Sequence, residues 1–239
     1  VRVDNSVLEE GRWYETRLEP PGGPLKPFQM KLPGDMSAAA FLITAATITS
    51  GSQIRILSVG LNSTRTGIID ALCQMGADIR IENINTQGGE PAGDILVQSA
   101  KLRGTQVDGS LVVRMIDEFS VFGTAAAFAE GETVVRDAAE LRYKESDRIG
   151  TLCQELRAVG VETGEREDGF TIQGGTLKGG VVNAHGDHRL AMAMAVAGLA
   201  ARAPVVVEGA EIIDESFPEF VATLKTLGAH LVEEPSQAI

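Results

Sequence analysis

Two kinds of helical pattern alternate along the chain. In one kind, at Ala38–Ile43, Val121–Phe128 and Leu190–Leu199, nearly every position is apolar or small. Such a helix has no polar face and is stable in water only when buried on all sides. In the other kind apolar residues recur every three or four positions. Leu152, Leu156 and Val159 alternate in this way with Gln154, Glu155 and Arg157, which predicts a helix with one wet face. Short runs rich in Val and Ile separate the helices and read as strands.

These segments recur in the same order three times. The first copy has Gly34-Asp35, an apolar helix over 37–49, a strand over 53–59, a helix over 64–75, Gly76 and a strand over 78–82. The second has Ile116-Asp117, an apolar helix ending at Ala129, a strand over 133–136, a helix over 145–159, Gly160 and a strand from Val161. The third has Gly186-Asp187, a helix over 188–201, a strand over 205–208, a helix over 216–227, Gly228 and a strand over 230–233. From leading aspartate to closing glycine each copy spans about forty residues, the size of a duplicated structural unit. Further strands over 94–98 and 169–173 extend the first two copies. The pattern predicts an α/β domain of three-fold pseudosymmetry, built from β-α-β-α-β-β repeats with buried helices and outer sheets.

Charge narrows the choice of partner. A net charge of −12 and a pI near 4.7 exclude a broad basic surface for nucleic acid. The longest apolar stretches, 38–48 and 190–201, are shorter than the ~20 residues that cross a bilayer, so no membrane span is expected. The opening Val-Arg-Val-Asp-Asn lacks the order of a secretory signal. Cys73 and Cys153 lie in helical patterns and read as small core residues, which fits a reducing, cytoplasmic setting.

In so acidic a chain an anionic ligand needs a local cationic cluster, and two clusters fall at helix starts. One is Arg142-Tyr143-Lys144-Glu145-Ser146-Asp147-Arg148, and the other is Asp187-His188-Arg189. Lys144 and Arg148 also fit an ordinary solvated pair one turn apart. Basic side chains in a first turn oppose the helix dipole, however, and a bound anion would account for them. Asp35, Asp117 and Asp187 each stand where an N-cap belongs. Asp117 and Glu145 are the candidate acid and base, with capping an equal competitor at Asp117. His188 adjoins the second cluster. His185 and His230 have no companion ligands, so no metal is expected, and no dinucleotide, Walker or serine-elbow motif occurs.

The motifs themselves carry a resemblance. Leu32-Pro33-Gly34-Asp35-Met36-Ser37-Ala38, Asn62-Ser63-Thr64-Arg65-Thr66-Gly67, Met115-Ile116-Asp117-Glu118, Leu141-Arg142-Tyr143-Lys144-Glu145-Ser146-Asp147-Arg148, Gly186-Asp187-His188-Arg189 and Ser216-Phe217-Pro218 are similar, in order, to the EPSP synthase (3-phosphoshikimate 1-carboxyvinyltransferase) family. The resemblance implies transfer of the enolpyruvyl group of phosphoenolpyruvate to the 5-hydroxyl of shikimate 3-phosphate, with no cofactor. It implies that Asp117 accepts the hydroxyl proton and that Glu145 exchanges a proton with the methylene carbon. Arg148 and Arg189 would grip carboxylate and phosphate, supported by Lys144 and His188. UDP-N-acetylglucosamine enolpyruvyl transferases share that fold with different residues at these places, and a non-catalytic anion-binding domain is the other alternative.

Family members are about twice as long, with two such domains. The resemblance therefore implies that residues 1–31 are the end of a second domain plus a hinge, around Pro20-Pro21-Gly22-Gly23-Pro24, and that 32–239 form the C-terminal domain. A complementary N-terminal domain is the expected partner. Some members carry a lysine beside the final Ser-Phe-Pro where this chain has Asp214-Glu215, which implies one anion contact fewer. The third repeat ends after one strand, so an open sheet edge is expected, with residues 1–17 as a candidate to fill it.

Overall fold

A computed structural model of the chain describes residues 2–9 and 13–234; Val1, Glu10–Arg12 and Pro235–Ile239, which the domain expectations include, lie outside the described residues. Two compact units result, residues 1–31 and 32–239. In the smaller one, β1 (Arg2–Glu9) and β2 (Trp13–Glu19) form an antiparallel pair. Residues 20–31 contain neither helix nor strand, as expected of a proline-rich stretch short of backbone donors.

The larger unit contains the three repeats. The first has α1 (Met36–Ile48), β3 (Gln53–Gly60), α2 (Gly67–Gln74), β4 (Asp78–Gln87) and β5 (Glu90–Gln98). The second has β6 (Gln106–Val107), α3 (Ser110–Arg114), α4 (Phe119–Ala127), β7 (Glu132–Val135), α5 (Arg148–Ala158), β8 (Glu162–Arg166) and β9 (Gly169–Gln173). The third has β10 (Gly180–Asn183), α6 (His188–Gly198), β11 (Val205–Glu208) and α7 (Phe220–Thr226). One sheet order underlies all three. Gly34 bridges β3 in parallel and the order continues β3-β5-β4; the second sheet runs β6-β7-β9-β8; the third is the parallel pair β10-β11.

One expectation changes at the third repeat. Residues 230–233 form no strand. Their counterparts β4 and β8 are each held by the hairpin strand that follows, β5 and β9, and no such strand follows here among the described residues. Within the smaller unit, residues 2–9 and 13–19 pair with each other.

Helices α1, α4 and α6 pack on one another inside the sheets. All nine residues of α4 are buried, as are eleven of the thirteen in α1. Close approach depends on small side chains: a Cβ at Gly123 of α4 would lie 2.7 Å from Leu152 Cδ2 of α5. Phe41 meets Phe220 edge to face, and Phe119 meets Phe122 and Phe170 in the same way. Thr124 Oγ1 donates to Ala193 O at 3.0 Å, which fixes α4 against α6. Cys153 is buried as expected, but Cys73 is exposed, because it turns outward from the buried Ile68, Ile69, Ala71 and Leu72 of α2. Among the described residues no helix is long and apolar enough to cross a membrane.

The seam between the first two repeats depends on Gly104. Its N–H donates to Glu130 O at 2.8 Å, and an added Cβ would lie 2.1 Å from Glu132 O. Gly104→Ala should therefore destabilise the lobe by about 1–3 kcal/mol, the cost of an overpacked site, measured by urea denaturation.

Candidate anion-binding and active site

The inner helices begin at a common end of the lobe. At α1, Asp35 Oδ2 accepts from Ala38 N at 2.8 Å. At α6, Asp187 Oδ1 accepts from Arg189 N at 2.9 Å and Leu190 N at 3.3 Å. The outer helix α5 is capped in the same way, Asp147 Oδ1 accepting from Gly150 N at 3.1 Å. Asp117 departs from this series. Helix α4 starts at Phe119, so Glu118 occupies the cap position, without a side-chain cap bond, and Asp117 lies one residue outside. Its carboxylate is thereby available for other partners.

Four cations surround that carboxylate. Arg65 Nη1 donates to Asp117 Oδ2 at 3.2 Å, while Lys144 Nζ and Arg148 Nη1 each lie 4.0 Å from Oδ1. Arg189 Nη1 donates to the Asp117 carbonyl at 3.2 Å. Loop, turn and two helices from all three repeats thus converge on one residue. Arg189 also lines a small cleft of about 30 Å³ with Ser37, Ala38, Phe41, Met192 and Phe217, which brings the Ser-Phe-Pro motif to the same place.

Arg148 is buried, so the solvated-pair reading does not hold. Its Nε donates to Asp187 Oδ2 at 2.7 Å and its Nη2 to Glu145 Oε2 at 2.5 Å. Asp187 is fully buried and also accepts from Ser146 Oγ at 3.0 Å. Glu145 precedes α5 rather than beginning it, in a bend from Lys144 to Ser146, and is half exposed. Arg142 points elsewhere: it ties the β8–β9 turn to Asp147 through Glu165 Oε1 and the carbonyls of Arg166 and Glu167.

Electrostatics separates neighbouring carboxyls. Burial on its own raises Asp117, but the Arg189 charge, the hydrogen bond and charge of Arg65 and the charge of Lys144 outweigh it and hold the group below the usual range. Burial likewise opposes ionisation of Asp187 and is overcome by Arg148, Ser146 and the Arg189 amide. At Glu118 burial prevails over Ser37, Arg65 and Arg189, and the carboxyl is pushed up. A low carboxyl and a raised one on consecutive residues can hold a proton in different states at one pH.

The structure brings Asp117, Lys144, Glu145, Arg148 and Arg189 together. His188 sits half-buried beside them at the start of α6, and among the described residues no hydrogen bond or ion pair links its side chain to theirs. Three members of the site carried no assigned role in the sequence: Arg65, Ser37 and Glu118. Arg65 lies in a turn where Asn62 Oδ1 accepts from Thr64 N and Thr64 Oγ1, immediately ahead of α2. That is the place in the first repeat that the Lys144–Arg148 cluster takes in the second, and the repeat register was the available signal.

This lobe, with its helices buried beneath three small sheets, has the fold of an enolpyruvyl transferase domain. It superposes on the enolpyruvyl transferase NikO from Streptomyces tendae with a TM-score of 0.73 at 20% identity, over 95% of this chain and 50% of that one. The chain belongs to the EPSP synthase (3-phosphoshikimate 1-carboxyvinyltransferase) family, whose model matches residues 5–224. It is 52% identical to the 3-phosphoshikimate 1-carboxyvinyltransferase of Desulforamulus reducens over 84% of this chain and 47% of the relative. With the Coxiella burnetii (strain RSA 331) protein of the same name, identity is 48% over 88% of this chain and 48% of the relative. An EPSP synthase structure from Acinetobacter baumannii matches with a TM-score of 0.86 and 39% identity, over 95% of this chain and 52% of that one. The chain spans about half the length of the curated relatives it matches.

Proposed function

We propose that this chain supplies the phosphoenolpyruvate-binding and proton-transfer groups for enolpyruvyl transfer to the 5-hydroxyl of shikimate 3-phosphate, working with a complementary lobe. The observation that carries this reading is the gathering of Arg65, Lys144, Arg148 and Arg189 round Asp117. Phosphoenolpyruvate brings a carboxylate and a phosphate to these cations and to the partial positive charge of the helix starts. Arg148 is held by Asp187 and Glu145, so Arg189 and Lys144 take the larger share of the anion and Arg148 chiefly aims Glu145. His188 lines the approach.

Asp117 accepts the proton of the 5-hydroxyl as its oxygen attacks C2 of phosphoenolpyruvate, and Glu145 gives a proton to C3. In the tetrahedral adduct Glu145 takes a methyl proton back, the bond between C2 and the phosphate oxygen breaks, and the hydroxyl proton leaves on the phosphate. The residues form no step that needs a cofactor. Anion binding also tunes the base. The cations that hold the Asp117 carboxyl low become neutralised by the ligand, so its proton affinity rises when substrate is present.

The need for a second lobe rests on the half-length match and on the short third sheet. At the C-terminal ends of α1, α6 and α7 lies a cavity of about 460 Å³ with a mixed lining, Leu42, Leu199 and Leu224 beside Thr49, Ser52 and His230. Residues 32–239 are read as one lobe, and residues 1–31 as the tail and hinge of the other. Small charged substrates and two unpaired thiols support a cytoplasmic setting for the reaction.

Phosphate release from phosphoenolpyruvate and shikimate 3-phosphate, with this chain alone and with a complementary N-terminal lobe added, tests the proposal. Release only in the mixture is expected; no release in either, with phosphoenolpyruvate still bound, would leave a non-catalytic binding domain. Arg189→Ala should weaken phosphoenolpyruvate binding roughly 10- to 100-fold in calorimetric titration, the loss of a hydrogen bond to a charged group.

A further inference from the structure

Glu118 is 1% exposed, and its Oε2 has no hydrogen-bond partner among the described residues. Keeping a carboxyl out of water and half satisfied costs stability, so its presence at the cap position of a buried helix asks for another explanation. We propose that Glu118 is a positioning residue for Asp117: acting through Ser37, it fixes the Arg65 guanidinium against the Asp117 carboxylate.

The contacts form a directed chain. Ser37 Oγ donates its single proton to Glu118 Oε1, and with that proton committed it accepts from Arg65 Nη2 at 2.9 Å. Arg65 Nη1 then donates to Asp117 Oδ2, while Arg65 Nη2 lies 3.7 Å from Glu118 Oε1. Arg65 is 42% exposed on a long, flexible stem. An exposed arginine–carboxylate pair alone is worth little and wanders. Anchoring the second guanidinium nitrogen removes that freedom and leaves Asp117 Oδ1 facing Lys144 and Arg148. Without Glu118, the Ser37 proton is free to turn toward other acceptors and the lone pair offered to Arg65 is no longer fixed.

The inference rests on Asp117 being the proton acceptor, but its test does not require turnover. The charged groups facing Asp117 are Arg65 from the loop before α2, Lys144 and Arg148 around the start of α5, Arg189 from α6 and Glu118 from α4. Glu118→Gln keeps an oxygen for Ser37 and removes the second titrating group in this corner. In that background, Ser37→Ala should raise the Asp117 pKa by about half a unit, roughly threefold in proton affinity, because Arg65 is no longer held against it. Carbon-13 NMR of labelled aspartate reads this directly, with Asp117→Asn providing the assignment. A second reading uses the single variant Ser37→Ala: separate Arg65 Nη signals, expected in the parent, should merge as the guanidinium begins to rotate. An unchanged Asp117 titration in the double variant, or Nη signals still separate in Ser37→Ala, would overturn the proposal. Failure of the parent to bind phosphoenolpyruvate would count against the transferase reading alone and leave these outcomes as stated.

Discussion

Replacing Asp117 by Asn should lower turnover of the assembled two-lobe enzyme by roughly 10²–10⁴-fold, the range that a positioned general base contributes. The side chain keeps its shape and can still accept from Arg65 Nη1, so the fold should be unaffected. Phosphoenolpyruvate affinity should stay within a few fold or tighten, since the variant removes a negative charge that competes with the ligand for Lys144 and Arg189. The parent's activity should show an acid limb of the same origin. Asp117 is ionised at neutral pH, and because its carboxyl is held low, activity should fall only once acidification passes below the usual carboxylate range. Steady-state kinetics combined with calorimetry decides: unchanged turnover in Asp117→Asn would remove the residue from the mechanism.

Arg148→Met should cost about 3–5 kcal/mol of stability at pH 7, because it leaves Asp187 ionised, buried and without its cation. The pH dependence gives this prediction a sign. In the parent, the Asp187 carboxyl is depressed in the folded state, so its contribution is complete above the unfolded carboxyl pKa of about 3.9 and is lost as pH falls through the lower folded value. In the variant the leading cause left is burial, which raises the group, and protonation then relieves the penalty. The difference between parent and variant should shrink between pH 7 and pH 4.5, as measured by urea denaturation at both. An equal difference at the two pH values would mean that the Asp187 charge is not what the substitution exposes.

The repeats were legible in the sequence because burial imposes a pattern that water cannot blur. A helix enclosed on all sides has no polar face, and the expected ranges for β9 and β11 coincide with those observed. The starts of the outer helices were not legible. Expected at Thr64, Glu145 and Ser216, they begin at Gly67, Arg148 and Phe220. In each case non-helical residues fill the interval: the Asn62 side chain bonds the Thr64 backbone, a bend over 144–146 follows the 3-10 turn at 139–143, and turn residues within 216–219 follow the one at 210–215. Such turns compete with the helix through side-chain and i→i+3 bonds that have no apolar period to reveal them.

The site was legible in part for a related reason. Lys144, Arg148, Asp187 and Arg189 form two dense charged motifs, conspicuous in an acidic chain. Their burial was not legible, since a first-turn arginine reads as solvated until its partner Asp187 is brought beside it by another repeat. Arg65 is a lone cation in a polar turn, and it reaches Asp117 across 52 positions of sequence. Nothing local distinguishes it; only superposing the first repeat on the second brings it to the same mouth.

The convergence of cations at the shared helix starts is tested most directly by titrating this chain with phosphoenolpyruvate and following every backbone amide by NMR. Shifts should concentrate at Ser37, Asp117–Glu118, Lys144–Arg148 and Asp187–Arg189, with one saturation curve that weakens as salt is raised. Shifts confined to the opposite end, round Leu42, Leu199 and Leu224, or none at millimolar ligand, would contradict the account.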